Sequence, residues 1–98
     1  SGARGITAAV TGRAARVNII GSDGTLYTTT ADYAAGQWTG SWVQVDRSPV
    51  RSVASVAIGN VVHVYGVGMD GRIYTIDADY NIGRWLGTWA EVPGGAVA

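Results

Sequence analysis

The sequence predicts an all-β fold of two consecutive four-stranded antiparallel sheets, and three observations carry that prediction. The first is an internal repeat: Gly21-Ser22-Asp23-Gly24-Thr25-Leu26-Tyr27-Thr28 returns 47 positions later as Gly68-Met69-Asp70-Gly71-Arg72-Ile73-Tyr74-Thr75. The same shift carries Ala31-Asp32-Tyr33 onto Ala78-Asp79-Tyr80, and Gly36, Trp38, Gly40 and Trp42 onto Gly83, Trp85, Gly87 and Trp89. The second is the grain of the pattern, because apolar and β-branched residues come in runs of about five to eight, too short for an ordinary globular helix. The third is turn chemistry: Asp23-Gly24 and Asp70-Gly71 are hairpin signals, since glycine tolerates the positive φ that a tight connection demands.

Taken in order, the strands of the first unit are expected at Ile6 to Val10, Ala14 to Ile20, Thr25 to Thr30 and Trp38 to Val45. Their copies are Val53 to Ile58, Val61 to Val67, Arg72 to Ile76 and Trp85 to Val92. Gly, Asp, Asn or Pro bounds each run. The two units, about 4–50 and 51–97, form one domain over residues 1–98.

A period in the forties is that of four-stranded propeller blades, and the strand-length grain separates these from helical repeats of similar length. Two blades do not close a propeller, which uses about four to eight around a central channel. The apolar faces of two isolated sheets need a cover. Residues 1–4 align with 48–51 at the same shift, so the end of one chain is in phase with the start of another. Head-to-tail contact of that kind is heterologous and closes into a ring where the rotation permits. The expectation is a homotrimer of six blades, with four or eight as the other even closures.

Composition excludes several functions. The formal charge is zero, with seven basic residues dispersed along the chain, so no electrostatic footprint for nucleic acid is present. No stretch approaches the roughly 20 apolar residues of a membrane helix. Cysteine is absent, which removes disulfides, thiol nucleophiles and thiolate metal sites. One histidine and no cysteine build neither a nucleophilic triad nor a zinc site within the chain. Glycoside hydrolysis needs two facing carboxyls, whereas the duplicated acids, Asp23 with Asp70 and Asp32 with Asp79, sit where turns explain them. Neither an enzyme nor a cofactor or metal is expected. The start at Ser1-Gly2 in place of Met reads as a trimmed end, and compartment is left open with a lean towards secretion.

The aromatic residues point to a ligand. Four Trp and five Tyr are present and no Phe, so every large ring carries a polar handle. A sugar offers a face of C–H groups and a rim of hydroxyls, which calls for an indole or phenol and a few directed polar groups. Trp38, Trp85, Tyr33, Tyr80, Asp32, Asp79, Arg84 and Thr28 supply those parts. The competing reading makes Trp42 and Trp89 locks between blades and makes Asp32 and Asp79 acceptors for turn amides.

The string Val62-His63-Val64-Tyr65-Gly66-Val67-Gly68-Met69-Asp70-Gly71-Arg72-Ile73-Tyr74, followed by Trp85-Leu86-Gly87-Thr88-Trp89-Ala90-Glu91-Val92-Pro93-Gly94-Gly95, resembles the repeat of bacterial propeller lectins of the Photorhabdus lectin type. Residues Arg16-Val17-Asn18-Ile19 through Trp42 form a less complete copy. The architecture is also similar to small fucose-binding lectins whose two-blade chains trimerise into six-bladed rings. That resemblance places Arg16, and its copy His63, at the second-strand position that carries a sugar-binding arginine. It places Thr28 and Thr75 where the third strand supplies a glutamate, so the charged acceptor for fucose is lost. The site within the chain and the site between chains then differ. The function expected is multivalent glycan binding between adjacent blades. The alternatives are a protein-binding or structural scaffold, or a fragment or engineered unit of a larger propeller.

Overall fold

The computed structural model describes residues 2–38 and 40–96. Thr39, inside the run expected as a fourth strand, and residue 97, the expected end of the second unit, lie outside the described residues. Among the described residues there is no helix, and the chain forms two antiparallel sheets, each four strands wide.

The first sheet contains β1 (Ala3–Thr11), β2 (Ala14–Gly21) and β3 (Leu26–Asp32), with β4 (Gln37–Trp38) and β5 (Val43–Asp46) sharing the free edge of β3. The second contains β6 (Val50–Ile58), β7 (Val61–Gly68), β8 (Arg72–Asp79) and β9 (Arg84–Ala96) in spatial order. The repeat extends to the register. Thr11 opposes Ala14 as Ile58 opposes Val61, Ala31 opposes Trp38 as Ala78 opposes Trp85, and Tyr27 opposes Gln44 as Tyr74 opposes Glu91. Even the irregularity between Ala3 and Gly5 recurs between Val50 and Ser52.

The outer edge departs from the expectation of one continuous strand. Between Trp38 and Val43 the edge gains two residues on β3, which advances only from Ala31 to Thr28, and Trp85 to Ala90 does the same on β8. Gly40 and Gly87 lie in these excursions at φ 122° and 75°, a backbone that a side chain disfavours. In the first sheet the excess breaks the strand in two; in the second β9 absorbs it and runs on through Pro93, which an edge strand tolerates.

The β2–β3 and β7–β8 hairpins use the turns read from sequence. Gly24 N–H donates to Gly21 O at 2.9 Å and Gly71 N–H to Gly68 O at 3.0 Å. Only the glycines take positive φ, 85° at Gly24 and 81° at Gly71. The aspartates contribute side chains instead: Asp23 Oδ1 accepts from Thr25 N–H and Asp70 Oδ1 from Arg72 N–H, both at 3.0 Å.

The sheets pack face to face around one core. Ala9, Ile20 and Leu26 from the first meet Val50, Val62, Val64, Ile76 and Ala78 from the second, with Val53, Tyr80, Trp85 and Trp89 at the margin. Strict alternation along β7 aims Val62 and Val64 at the first sheet and leaves Tyr65 exposed. Arg4 Nη2 donates to Val50 O at 2.9 Å, and Thr7 Oγ1 lies 2.8 Å from Ser55 Oγ, so β1 and β6 run side by side in the same direction. Asp46 fastens the connection, accepting from Ser48 N–H at 2.8 Å and from Trp89 N–H at 3.2 Å.

Candidate functional site

Two cavities are copies of each other. One, of about 370 Å³, is lined by Ser48, Pro49, Val50, Gly68, Met69, Asp70, Tyr74 and Trp89. The other, of about 300 Å³, is lined by Gly2, Ala3, Ile19, Gly21, Ser22, Asp23, Tyr27 and Trp42. The repeat shift relates Gly2 to Pro49, Asp23 to Asp70, Tyr27 to Tyr74 and Trp42 to Trp89. Each cavity therefore offers a phenol, an indole and a carboxylate beside a hairpin turn.

Local sequence builds this arrangement. A Cβ at Gly68 would stand 2.7 Å from the Tyr74 ring and 2.7 Å from Asp70 Oδ1; at Gly21 it would stand 3.3 Å from the Tyr27 ring. The missing side chain lets the tyrosine lie over the end of the preceding strand. Tyr74 Oη donates to Asp70 Oδ2 at 2.7 Å. That bond, followed by the Arg72 amide, lowers the Asp70 carboxyl from its ordinary value, and the same bond raises the Tyr74 phenol. Asp23 is lowered chiefly by the Thr25 amide. Arg72 bridges Glu91 at 2.7 Å, and this partner raises its guanidinium.

The indoles of the two cavities differ. Trp89 packs against the core, where a Cβ at Gly66 would approach its ring to 3.0 Å, whereas Trp42 faces Ile19 at the equivalent place and is 45% exposed. The reading of both as locks between blades thus describes Trp89 within one chain and leaves Trp42 at the surface.

The residues singled out from sequence fall into three places. Asp32, Tyr33 and Trp38 meet with Gln37 around a shallow cavity of about 140 Å³ at the β3–β4 turn. Asp32 Oδ1 is engaged by the amides of Ala34 and Ala35 at 3.0 and 3.1 Å, as Asp79 Oδ1 is by Asn81 N–H at 2.9 Å. At the copy of that turn, Tyr80 and Trp85 pack against the core while Arg84 is exposed.

The second place is the junction between sheets. The Arg16 guanidinium stacks 3.7 Å from the centre of the Tyr80 ring. Its Nε donates to Thr11 Oγ1 at 2.8 Å and Nη1 to Thr30 Oγ1 at 3.0 Å. At the equivalent position on the far side of the second sheet, His63 Nδ1 lies 2.8 Å from Asp77 Oδ1.

The third place is on the inner strands β3 and β8, one in each sheet. Thr28 is buried and donates to Val17 O at 3.3 Å, which turns its hydroxyl to the backbone; Thr75 is half-buried. Tyr27, Tyr74 and Met69 are the cavity residues that sequence reasoning passed over. The available signal was a tyrosine six residues after a glycine in both copies, flanking the hairpin aspartate.

Compared with protein-family models, with curated proteins and with solved structures, the chain gives no significant match.

Proposed function

We propose that this chain is a multivalent glycan-binding lectin, with its two sheets serving as blades of a β-propeller completed by further copies. The observation that carries the reading is the duplicated cavity, in which a tyrosine, a tryptophan and an aspartate recur at one end of each sheet. An aromatic ring supplies the stacking surface for a sugar's C–H face, and the carboxylate supplies directed contacts to its hydroxyls. Equivalent constellations spaced blade by blade suit a clustered ligand, because weak sites gain avidity once the first is occupied. The Arg16–Tyr80 junction and the Asp32, Tyr33, Trp38 turn are the secondary polar and aromatic surfaces of the same array.

Ring closure is supported by the apolar residues left exposed on the outer faces of both sheets, among them Ile6, Val10 and Trp38 on one and Val56 and Ile58 on the other. Three copies make six blades in this reading.

A glycan array and native mass spectrometry on one preparation test both parts. The expected outcome is a trimer that binds a narrow set of glycans, with binding lost in the Tyr27→Ala/Tyr74→Ala double variant while the mass of the assembly is kept. A trimer that binds no glycan refutes the lectin and moves the reading to a protein-binding or structural scaffold.

A further inference from the structure

Several exposed apolar residues on the outer faces are copies of residues covered inside the chain. Thr11 is 4% exposed between the sheets and its copy Ile58 is 68% exposed; Tyr80 lies under Arg16 and its copy Tyr33 is 72% exposed. Ile6 and Val10 stand in the same relation to Val53 and Ala57, which pack on the core. The two halves of a second interface, of the kind already formed between the sheets, are therefore present on opposite sides of one molecule.

We infer that a second copy docks its first sheet on the outer face of the second sheet in the register of the internal junction, so that its Tyr33 seats on the His63–Asp77 pair. This rests on the ring reading above and adds its register and composition.

The internal junction supplies the map. The stack of Arg16 on Tyr80 becomes His63 against Tyr33 of the second copy. The bond from Val50 N–H to Gly24 O at 3.1 Å becomes one from Ala3 of the second copy to Gly71 O. The approach of Thr7 to Ser55 becomes that of Ala54 to Ala8 of the second copy. One contact has no counterpart, because Pro93 stands where Asp46 accepts the Trp89 amide. By the same map Arg51, the copy of Arg4, faces Ala3 O of the second copy, and Asp77 stands beside His63 opposite the second copy's Tyr33.

Because the chain has no cysteine, the register is read by disulfide trapping. Ala8→Cys and Ala54→Cys are made separately, oxidised alone and mixed, and run without reductant; both positions are exposed, so folding is preserved. The expected result is a covalent dimer in the mixture and none from either variant alone, as a heterologous contact requires. Self-linking of either variant overturns the proposal, as does a mixture that fails to link while native mass spectrometry shows an oligomer. Wild-type chain that stays monomeric defeats the ring reading itself, which this outcome separates from a wrong register. As an independent readout, Tyr33→Ala raises the dissociation constant of the assembly by about tenfold; an unchanged constant contradicts the seating of Tyr33.

Discussion

Gly12 and Gly24 both occupy left-handed backbone, at φ 59° and 85°, yet only one of them is enclosed. A methyl group at Gly12 meets nothing within 4 Å, whereas at Gly24 it would stand 2.8 Å from Pro49 Cβ, 3.0 Å from Pro49 Cα and 3.1 Å from Val50 N. Forcing an L-residue into this conformation costs about 1 to 2 kcal/mol. Gly12→Ala is expected to lose that much and no more. Gly24→Ala adds an overpacking cost of about 1 to 3 kcal/mol, because these neighbours are backbone and a proline ring and cannot rotate away. The backbone must then move, and the bond from Val50 N–H to Gly24 O at 3.1 Å, which joins the two sheets, lengthens with it. At about 4 to 8 °C per kcal/mol for a domain of this size, Gly12→Ala lowers Tm by roughly 5 to 15 °C and Gly24→Ala by clearly more. Thermal unfolding of both variants at one fixed chain concentration measures the difference, since assembly makes Tm concentration-dependent. Equal losses would refute the argument that Gly24 is the contact point between the first sheet and the start of the second.

Three further outcomes are expected. Trp89→Ala costs about 3 to 5 kcal/mol in urea unfolding because its ring fills the space over Gly66, while Trp42→Ala, half-exposed in the single chain, costs about 1 to 2 kcal/mol and acts mainly on assembly. Asn18 is wholly buried with neither amide nitrogen nor oxygen hydrogen-bonded, so Asn18→Val is expected to stabilise by about 1 to 2 kcal/mol; a loss of stability in calorimetry would show that the amide is satisfied. The Asp70 carboxyl is lowered on folding, so its stabilising contribution is full above about pH 4 to 5 and is lost as pH falls through the lowered value. The Tyr74 phenol is raised, so its contribution holds below about pH 10 and fades as pH rises through the raised value. Asp70→Asn keeps an oxygen for the Arg72 amide but removes the charge, and its urea midpoint is expected to vary less than wild type at both ends of the pH range.

The strand pattern was legible because it is local. The run Val61 to Val67 carries period-two burial, and Asp23-Gly24 and Asp70-Gly71 fix hairpins through a conformational preference that no distant contact is needed to set. The shift of 47 further required the two sheets to share a register, down to the irregularities at Ala3 and Val50. The grouping of Asp32, Tyr33 and Trp38 was also readable, since these residues flank a single turn.

What tertiary structure alone decided is which of two identical residues does which job. Tyr33 and Tyr80, Trp42 and Trp89 are the same in sequence, but only the second of each pair packs against the core in this chain. Burial depends on what lies across the gap, and a repeat read along one dimension says nothing of that. The stack of Arg16 on Tyr80 joins residues far apart in the chain, and the buried hydroxyl of Thr28 turns inward because β3 lies in the middle of its sheet. The duplicated cavity escaped sequence reasoning for the same reason: a glycine at the end of one strand and a tyrosine on the next form a wall only after the hairpin folds the ring over the missing Cβ. Sequence determined the units and their spacing through local propensity and periodicity, while the placement of open and covered faces followed from how the sheets meet in space.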